Sequence, residues 1–264
     1  MNPIELIEIP FEIKKYVGNI HSITFPRQGY SSNVGITRCD SGEFALKRTK
    51  GEKDNAQLRT EVTRLRSLQT QTDLLVPKVH LFEEQSTQNE CWALLQFFEG
   101  ETIRTALLNE HNKAKRQEIL FHYGKALAKI HATPCPDEIK GNDQWLNNML
   151  VQAAYNLENF EVDGNEILLN QITSTPLQIE THKLIHGDFT IDNVLIQDGE
   201  ITGIIDWGSA AFGDPRFDVA LAIRPKPNAF KEAIDKEIFF EGYGENVLDE
   251  KCHDYYVNGL YEFF

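Results

Sequence analysis

Hydrophobic and polar positions alternate in the first third of the chain, which is typical of β-strands with one buried face. Five strands and one helix fit between residues 20 and 98. The strands are predicted in two pieces between Ile23 and Phe44, around Glu43–Lys47, at Val79–Phe82 and at Cys91–Phe98. The helix is predicted from about Asp54 to Gln69, because apolar residues recur there at helical spacing. A shorter helix is expected within residues 1–20.

Beyond residue 99 the hydrophobic positions follow helical spacing. Helices are predicted at Thr102–Glu110, Lys115–His131 and Trp145–Asn159, and a short one from Thr175 towards Lys183. Two short strands, 194–196 and 201–205, flank the turn Asp198-Gly199, so they are expected to form a hairpin. The change of pattern at Glu99-Gly100 predicts two domains, 1–98 and 99–264.

Composition excludes some classes of function. Hydrophobic residues make up 41% of the 264 residues, which is enough for a packed core. Acidic residues outnumber basic ones, 40 to 26, for a formal charge of -14. Nucleic-acid binding needs a basic face, so this balance argues against such a partner. It is compatible with a cationic substrate, although solubility alone explains many acidic proteins.

The cysteines and the apolar runs bear on the cellular compartment. The four cysteines, Cys39, Cys91, Cys135 and Cys252, form no C-x-x-C pair, so reduced structural thiols are expected. The N-terminus lacks the pattern of a signal peptide, and no apolar run approaches the roughly 18 residues of a membrane helix. We therefore expect a cytoplasmic protein with no membrane partner. The sequence does not indicate an oligomeric state.

One stretch carries the strongest chemical signal. His186-Gly187-Asp188 is followed by Asn193, and Asp206 comes after the predicted hairpin. This is the order of a phosphoryl-transfer site, D-x-x-x-x-N followed by a second metal-binding aspartate. Asp188 is placed to accept a proton from the acceptor hydroxyl. Asn193 and Asp206 offer the hard oxygen ligands that Mg²⁺ prefers, and the hairpin is expected to return Asp206 beside Asn193.

Further candidates lie in the first part of the chain. Lys47, on a predicted strand, is the natural partner for Glu61, which lies at the edge of the apolar stripe of the following helix. Alternatively, Glu61 pairs with Arg64 on its own helix. The turn containing Ser31 and Ser32 could direct backbone N–H groups at phosphates. An ordinary hairpin turn is the simpler interpretation, because no complete G-x-G-x-x-G pattern is present.

The segments HGDFTIDNVL and GIIDWGSAAFGDPRFDVA, within residues 186–220, resemble the aminoglycoside phosphotransferase/choline kinase family. The resemblance implies an α+β, two-lobed protein-kinase-like fold, with a small antiparallel sheet and one helix in the N-lobe and a larger, mainly helical C-lobe. It implies Mg²⁺, ATP or GTP as donor and a small hydroxylated acceptor.

The resemblance also assigns roles to single residues. It implies that Asp188 is the base, that Asn193 and Asp206 are metal ligands, and that Lys47 contacts the phosphates. His186 and Asp218 would support the catalytic loop, although a helix N-terminal acid is the plainer interpretation of Asp218. In such a fold the backbone between Gln96 and Glu99, including Phe98, faces the adenine. His131, at the end of a predicted helix, is expected to be structural.

The C-terminus resembles that of aminoglycoside 3'-phosphotransferases, which implies that Glu262 and the Phe264 carboxylate contact the acceptor. Tyr261 stands where that tail often has an acidic residue. The acid-rich tail as a whole is a candidate for binding a cationic acceptor, and a solvated helix face is the alternative for any single residue.

Three functions stay open at this stage. The first is phosphate transfer to a hydroxyl of an aminoglycoside-like antibiotic. The second is a kinase of another small metabolite, such as choline or a sugar. The third is a nucleotide-binding pseudokinase, against which Lys47, Asp188, Asn193 and Asp206 argue together. A protein kinase is disfavoured because H-G-D replaces H-R-D and no A-P-E follows Asp206.

Overall fold

The computed structural model describes residues 3–26, 32–141, 144–224, 229–230 and 232–264. The chain divides into two compact units. The first unit contains Met1–Glu99 together with Ile205–Gly208, and the second contains Gly100–Ile204 and Ser209–Phe264. A short segment of the C-terminal half of the chain therefore packs with the N-terminal unit.

The first unit is built on a five-stranded antiparallel sheet with the order β1-β2-β3-β5-β4. Its strands are β1 Ile20–Thr24, β2 Asn33–Cys39, β3 Gly42–Lys50, β4 Val79–Gln85 and β5 Glu90–Gln96. In β3, Phe44 and Leu46 are buried on one face of the sheet, so Lys47, the residue after Leu46, points to the other face.

Two helices accompany this sheet, α1 (Phe11–Val17) and α2 (Glu52–Gln71). One core cluster joins α1 to the sheet and includes Ile13, Val17, Phe44, Leu46 and Trp92. Helix α2 buries the stripe Leu58, Glu61, Val62, Leu65 and Leu68, the i, i+3, i+4 spacing of one helix face. Glu61 therefore lies within the buried face rather than at its edge.

The second unit is mainly helical. Its helices are α3 Ile103–Asn109, α4 Lys113–Ala132, α5 Asp137–Lys140, α6 Trp145–Asn159, α7 Glu166–Ser174, α8 Pro215–Ala222, α9 Ala233–Tyr243 and α10 Glu250–Asp254. A π-helical turn, Tyr255–Gly259, and a 3₁₀ turn, Leu260–Phe263, complete the C-terminus. A core cluster containing Trp145, Phe217, Tyr256 and Phe263 connects α6 and α8 with these last turns.

Two small sheets frame the catalytic-loop sequence. Their strands are β6 Glu101–Thr102, β7 Lys183–Ile185, β8 Val194–Gln197, β9 Glu200–Ile204 and β10 Ala211–Gly213. The strand β7 pairs with β10, and β6, β8 and β9 form the second sheet. The predicted hairpin is present, with Val194 opposite Ile204. The loop 186–193 is thus anchored by a paired strand on each side.

Helices α4 and α9 pack in very close contact through glycines. A Cβ atom added to Gly124 would lie 2.1 Å from the carbonyl oxygen of Phe239, and one added to Gly242 would lie 2.0 Å from that of Phe121. Each helix therefore requires a residue without a side chain where the other backbone crosses it. This close packing fixes α4, which carries Tyr123 and His131.

The predicted class, α+β with an antiparallel N-terminal sheet and a helical C-terminal part, is confirmed. The helix predicted from Thr175 towards Lys183 is wrong. The structure instead ends α7 at Ser174, and Thr175 donates to the carbonyl of Gln171 through both its backbone N–H and its hydroxyl. Pro176 lacks an N–H and disfavours helical backbone in the residue before it, so the helix cannot continue.

All four cysteines are free thiols. Within the described ranges, no helix is both long and apolar enough to cross a bilayer.

Candidate active site

In the first unit, one lysine bridges two carboxylates. The Nζ atom of Lys47 donates to Glu61 Oε2 at 2.7 Å and to Asp206 Oδ1 at 2.6 Å. The side chains of Lys47 and Glu61 are 11% and 6% exposed, whereas that of Asp206 is 53% exposed. Strand β3 and helix α2 thus supply a buried ion pair, and Asp206 adds a carboxylate that solvent can reach.

The negative charges of Asp206 and Glu61 keep the side chain of Lys47 protonated. Burial alone would lower the pKa of Lys47, but the neighbouring charges of Asp206 and Glu61 outweigh it, so the pKa lies above its ordinary value. Burial also raises the pKa of Glu61, against the influence of Lys47. Lys47 is therefore a cation held against the buried face of α2 by its pair with Glu61.

The backbone of Asp206 adopts the left-handed region, with φ of 66°. Aspartate enters this region more readily than most residues, yet such conformations persist only where the surrounding structure enforces them. The alternative pairing of Glu61 with Arg64 does not occur, since Arg64 donates to the carbonyl oxygen of Gly208. Arg64 therefore holds the segment that carries Asp206.

The residues predicted to contact the nucleotide differ in burial and in the bonds that their backbone already makes. Ser32 is buried just before β2, and Ser31 lies outside the described residues. Gln96 ends β5, and its backbone N–H donates to the Lys78 carbonyl at 2.8 Å, so a backbone contact from Gln96 to a base would use its carbonyl oxygen. Phe98 is partly buried in the segment that follows β5.

In the second unit, the His-Gly-Asp turn is held by a buried carboxylate. The backbone N–H groups of His186 and Gly187 donate to Asp218 Oδ2 and Oδ1 at 2.6 and 2.8 Å. Asp218 is fully buried in the first turn of α8, so it is a helix N-terminal acid that also holds this turn. Gly187 has φ of 81°, and a Cβ there would lie 2.2 Å from the Ser209 carbonyl oxygen. The turn therefore needs glycine at this position.

The carboxylate of Asp188 is positioned by the other end of the loop. Asn193 Nδ2 donates to Asp188 Oδ2 at 2.8 Å and to its backbone carbonyl at 2.9 Å. Because both bonds use the amide nitrogen, the amide oxygen of Asn193 is the atom suited to accept a cation. The Asp188 N–H donates to His186 Nδ1 at 3.2 Å, which places the proton of a neutral His186 ring on Nε2.

Further residues support the loop through contacts that the sequence did not indicate. His131, which was expected to be structural, contacts Asp218 Oδ2 through Nε2 at 3.4 Å. Arg104 donates to Asp192 Oδ2 at 2.6 Å and to the Ile191 carbonyl through its N–H at 3.0 Å. Local patterns do not indicate these pairs, because their members are far apart in sequence.

Asp218→Ala is expected to destabilise the protein by about 3–5 kcal/mol. Two buried N–H groups would lose a charged acceptor, and a buried group without a partner is costly. Urea unfolding measures the change. The isosteric Asp218→Asn keeps one acceptor oxygen and should lose less, and Asp163→Ala, in an exposed loop, should have no effect beyond about 0.5 kcal/mol. A loss below 1 kcal/mol for Asp218→Ala would contradict this role.

The C-terminal turn approaches Asp188 within the same unit. The hydroxyl of Tyr261 donates to Asp188 Oδ1 at 3.4 Å, and the guanidinium of Arg224 lies over the Tyr261 ring, 4.6 Å from its centroid. Arg224 also pairs with Glu262 Oε1 at 3.4 Å. Burial, followed by the charge of Asp188, raises the pKa of Tyr261 to about 12. Phe264 is 49% exposed.

The tail that carries these side chains is fixed by its backbone. Asn156 Nδ2 on α6 donates to the Phe263 carbonyl at 2.8 Å, and the N–H of Gly164 donates to the Glu262 carbonyl at 2.8 Å. Phe263 is fully buried, and a Cβ at Gly164 would lie 2.5 Å from its ring. The last turn is therefore a positioned element rather than a loose end.

The donor set fits Mg²⁺ rather than a softer metal. Asn193 and Asp206 provide amide and carboxylate oxygens, and Mg²⁺ is commonly held by one or two protein groups together with substrate phosphates. Across the described part of the chain, no group of three or more His, Cys, Asp and Glu side chains is arranged to hold an ion by itself. The metal ligands stay a prediction, with Asn193 in the second unit and Asp206 in the first.

A sheet with a buried Lys–Glu pair, followed by a helical unit with a His-Gly-Asp loop, has the architecture of a protein-kinase-like phosphotransferase. The sequence model described as "Phosphotransferase enzyme family" matches residues 22–256. The chain belongs to this family, which confirms the predicted class of enzyme.

Two individual relatives are similar to part of this chain. An aminoglycoside 3'-phosphotransferase of Niallia circulans is 28% identical over 165 residues, 59% of this chain and 62% of that protein. A homoserine kinase of Neisseria meningitidis serogroup B is 30% identical over 146 residues, 52% of this chain and 48% of that protein. The chain thus spans less than two thirds of the length of these two relatives.

Solved structures agree on the fold. Spectinomycin phosphotransferase APH(9)-Ia, in complex with ADP and spectinomycin, superposes with a TM-score of 0.64 at 20% identity, over 97% of this chain and 84% of that one. At this identity the likeness shows the fold alone. It confirms the expected protein-kinase-like architecture.

Proposed function

We propose that this protein transfers the γ-phosphate of ATP or GTP to a hydroxyl group of a small molecule. The observation that carries the proposal is the Asp188 carboxylate, held by Asn193 at the end of a His-Gly-Asp turn that Asp218 fixes. In phosphoryl transfer the protein mainly positions the reacting groups and neutralises negative charge. A carboxylate fixed by its own loop meets the first of these needs.

In the proposed reaction Asp188 orients the acceptor hydroxyl and takes its proton. The acceptor oxygen forms a bond to the γ-phosphorus as the bond from that phosphorus to the bridging oxygen breaks, and ADP or GDP leaves. Lys47, kept cationic by Glu61 and Asp206, binds the phosphates. The segment from Gln96 to Phe98 would bind the base, and Ser31 and Ser32 would approach the phosphates.

Asn193 and Asp206 are the proposed ligands of Mg²⁺. The ion would supply positive charge against the charge of the phosphates. Chain connectivity supports the pairing of these two residues, since Asn193 precedes Val194, whose strand partner is Ile204, and Asp206 follows two residues later. An amide oxygen and a carboxylate suit a hard cation.

Two acceptor classes are candidates. An aminoglycoside-like compound is supported by the similarity to aminoglycoside 3'-phosphotransferases and by Glu262 and the Phe264 carboxylate in the tail. Another small alcohol is supported by the similarity to a homoserine kinase and by Arg224, which already pairs with Glu262. We also propose that the enzyme works in the cytoplasm, where its free thiols would stay reduced.

An acceptor panel tests the function. The protein is mixed with Mg-ATP or Mg-GTP and with aminoglycosides, macrolides, choline or sugars, and ADP or GDP release is followed. Release should depend on one acceptor class, with turnover on the order of 1–100 per second for a good acceptor. Nucleotide binding without acceptor-dependent release would indicate a pseudokinase. No binding of either Mg-nucleotide would contradict the proposal.

A further inference from the structure

We propose that Tyr261 and Arg224 set the charge selectivity of the acceptor site, so that neutral or singly cationic alcohols bind in preference to polycations. The inference rests on the proposed function, because it takes the surroundings of Asp188 as the place where the acceptor binds. It follows from contacts within the second unit. The residues concerned are those that approach the Asp188 carboxylate from the C-terminal turn.

The hydroxyl of Tyr261 occupies a hydrogen-bonding position on the proposed base. It donates to Asp188 Oδ1 at 3.4 Å, which is long for a bond between two oxygens. The bond is therefore weak, and an acceptor hydroxyl can replace it. An acceptor that does so lies beside the Tyr261 hydroxyl, which carries no negative charge.

Arg224 offsets the charge of the nearest acid. It pairs with Glu262 at 3.4 Å and lies over the Tyr261 ring at 4.6 Å, with its side chain 24% exposed. The four side chains Asp188, Tyr261, Arg224 and Glu262 together hold two negative charges and one positive charge. Among these four side chains a polycation would meet one net negative charge, and it would lie close to a guanidinium.

The overall charge of -14 does not reverse this conclusion. Charges on the surface are screened over about 8 Å at physiological ionic strength. They can speed the approach of a cation, but selectivity depends on the groups that contact the bound acceptor. In the proposed site the pair formed by Arg224 and Glu262 is in that position.

Two substitutions reverse the charge pattern and test the inference. Tyr261→Asp adds a carboxylate, and Arg224→Gln releases Glu262 from its partner. Kanamycin serves as the polycation, choline as the single cation and inositol as the neutral polyol, and binding to the full chain is measured by calorimetry. Each variant should bind kanamycin about tenfold more tightly, and the gain should shrink at high salt. Choline and inositol should change by less than about threefold.

Control variants separate charge selectivity from other effects. Tyr261→Phe removes the hydroxyl but adds no charge, so kanamycin affinity should stay within about twofold of the wild type. Lys125→Gln, exposed on α4, makes the same change in net charge as the test variants and should also have no effect. A thermal melt of each variant shows whether it is folded.

The outcomes are separable from those of the acceptor panel. Unchanged kanamycin binding in Tyr261→Asp and Arg224→Gln would overturn the inference, whichever acceptor is turned over. A response in one variant alone would overturn the joint assignment. A failure of phosphate transfer to every acceptor would contradict the proposed function, and the binding measurements would still decide the charge selectivity.

Discussion

Asp188→Asn is expected to lower the rate of phosphate transfer by about 10²–10⁴-fold, the contribution of a positioned general base. The amide cannot accept the acceptor's proton in the same way, although it matches the carboxylate in size. Asn193 can still bond to the remaining carbonyl oxygen, so the loop should keep its conformation. The expected loss is therefore in kcat, with nucleotide affinity and stability near those of the wild type.

The measurement is steady-state kinetics with an acceptor identified in the panel, together with calorimetric titration of Mg-nucleotide. Asp198→Asn is the matched control. Asp198 lies at the turn of the β8–β9 hairpin with φ of 51°, a conformation that asparagine also adopts readily. This control should keep full activity. An Asp188→Asn enzyme with a kcat within threefold of the wild type would remove Asp188 from the role of base.

Lys47→Met should weaken binding of the nucleotide by a factor on the order of 10², because a charged hydrogen bond to phosphate contributes about 1.5–3 kcal/mol. It should also reduce stability. Glu61 would keep its buried position without a cation, and breaking a buried pair by removing one partner costs about 3–5 kcal/mol. The double variant Lys47→Met, Glu61→Gln should recover part of the stability and none of the binding.

Lys15→Met is the control for this prediction. Lys15 lies on α1, its side chain is 67% exposed, and its partner Glu12, at 3.6 Å, is 52% exposed. Exposed pairs contribute little, so nucleotide affinity and stability should both stay close to the wild type. Calorimetry and urea unfolding provide the two readouts. If the Lys47 variants bound Mg-ATP and Mg-GTP as tightly as the wild type, Lys47 would have no part in phosphate binding.

The N-terminal half of the candidate site was predictable because local periodicity determines it. Alternation in β3 puts Lys47 opposite the face that holds Leu46, and the 3.6-residue period puts Glu61 on the buried face of α2. Lys47 is then the natural partner of Glu61, with Arg64 as the alternative. The third member, Asp206, was expected at a metal and not at Lys47, since no local pattern connects residues so far apart.

The acceptor side was less predictable for the same reason. The bond from Tyr261 to Asp188 and the pair formed by Arg224 and Glu262 join residues that are distant in sequence. They depend on where the last turns dock, and those turns are fixed by tertiary contacts from Asn156 and Gly164. Sequence patterns show that the tail is helical and acidic, but they do not show which acid is already paired.

Transfer of labelled phosphate tests the central claim most directly. The protein is incubated with γ-³²P-labelled ATP or GTP, Mg²⁺ and the panel acceptors, and the products are separated and identified by mass spectrometry. We predict that the label moves to a hydroxyl of one small-molecule acceptor, and that Asp188→Asn slows this transfer by about 10²–10⁴-fold while Asp198→Asn does not. Label that appears only in inorganic phosphate, or a labelled acceptor formed equally well by Asp188→Asn, would contradict the account.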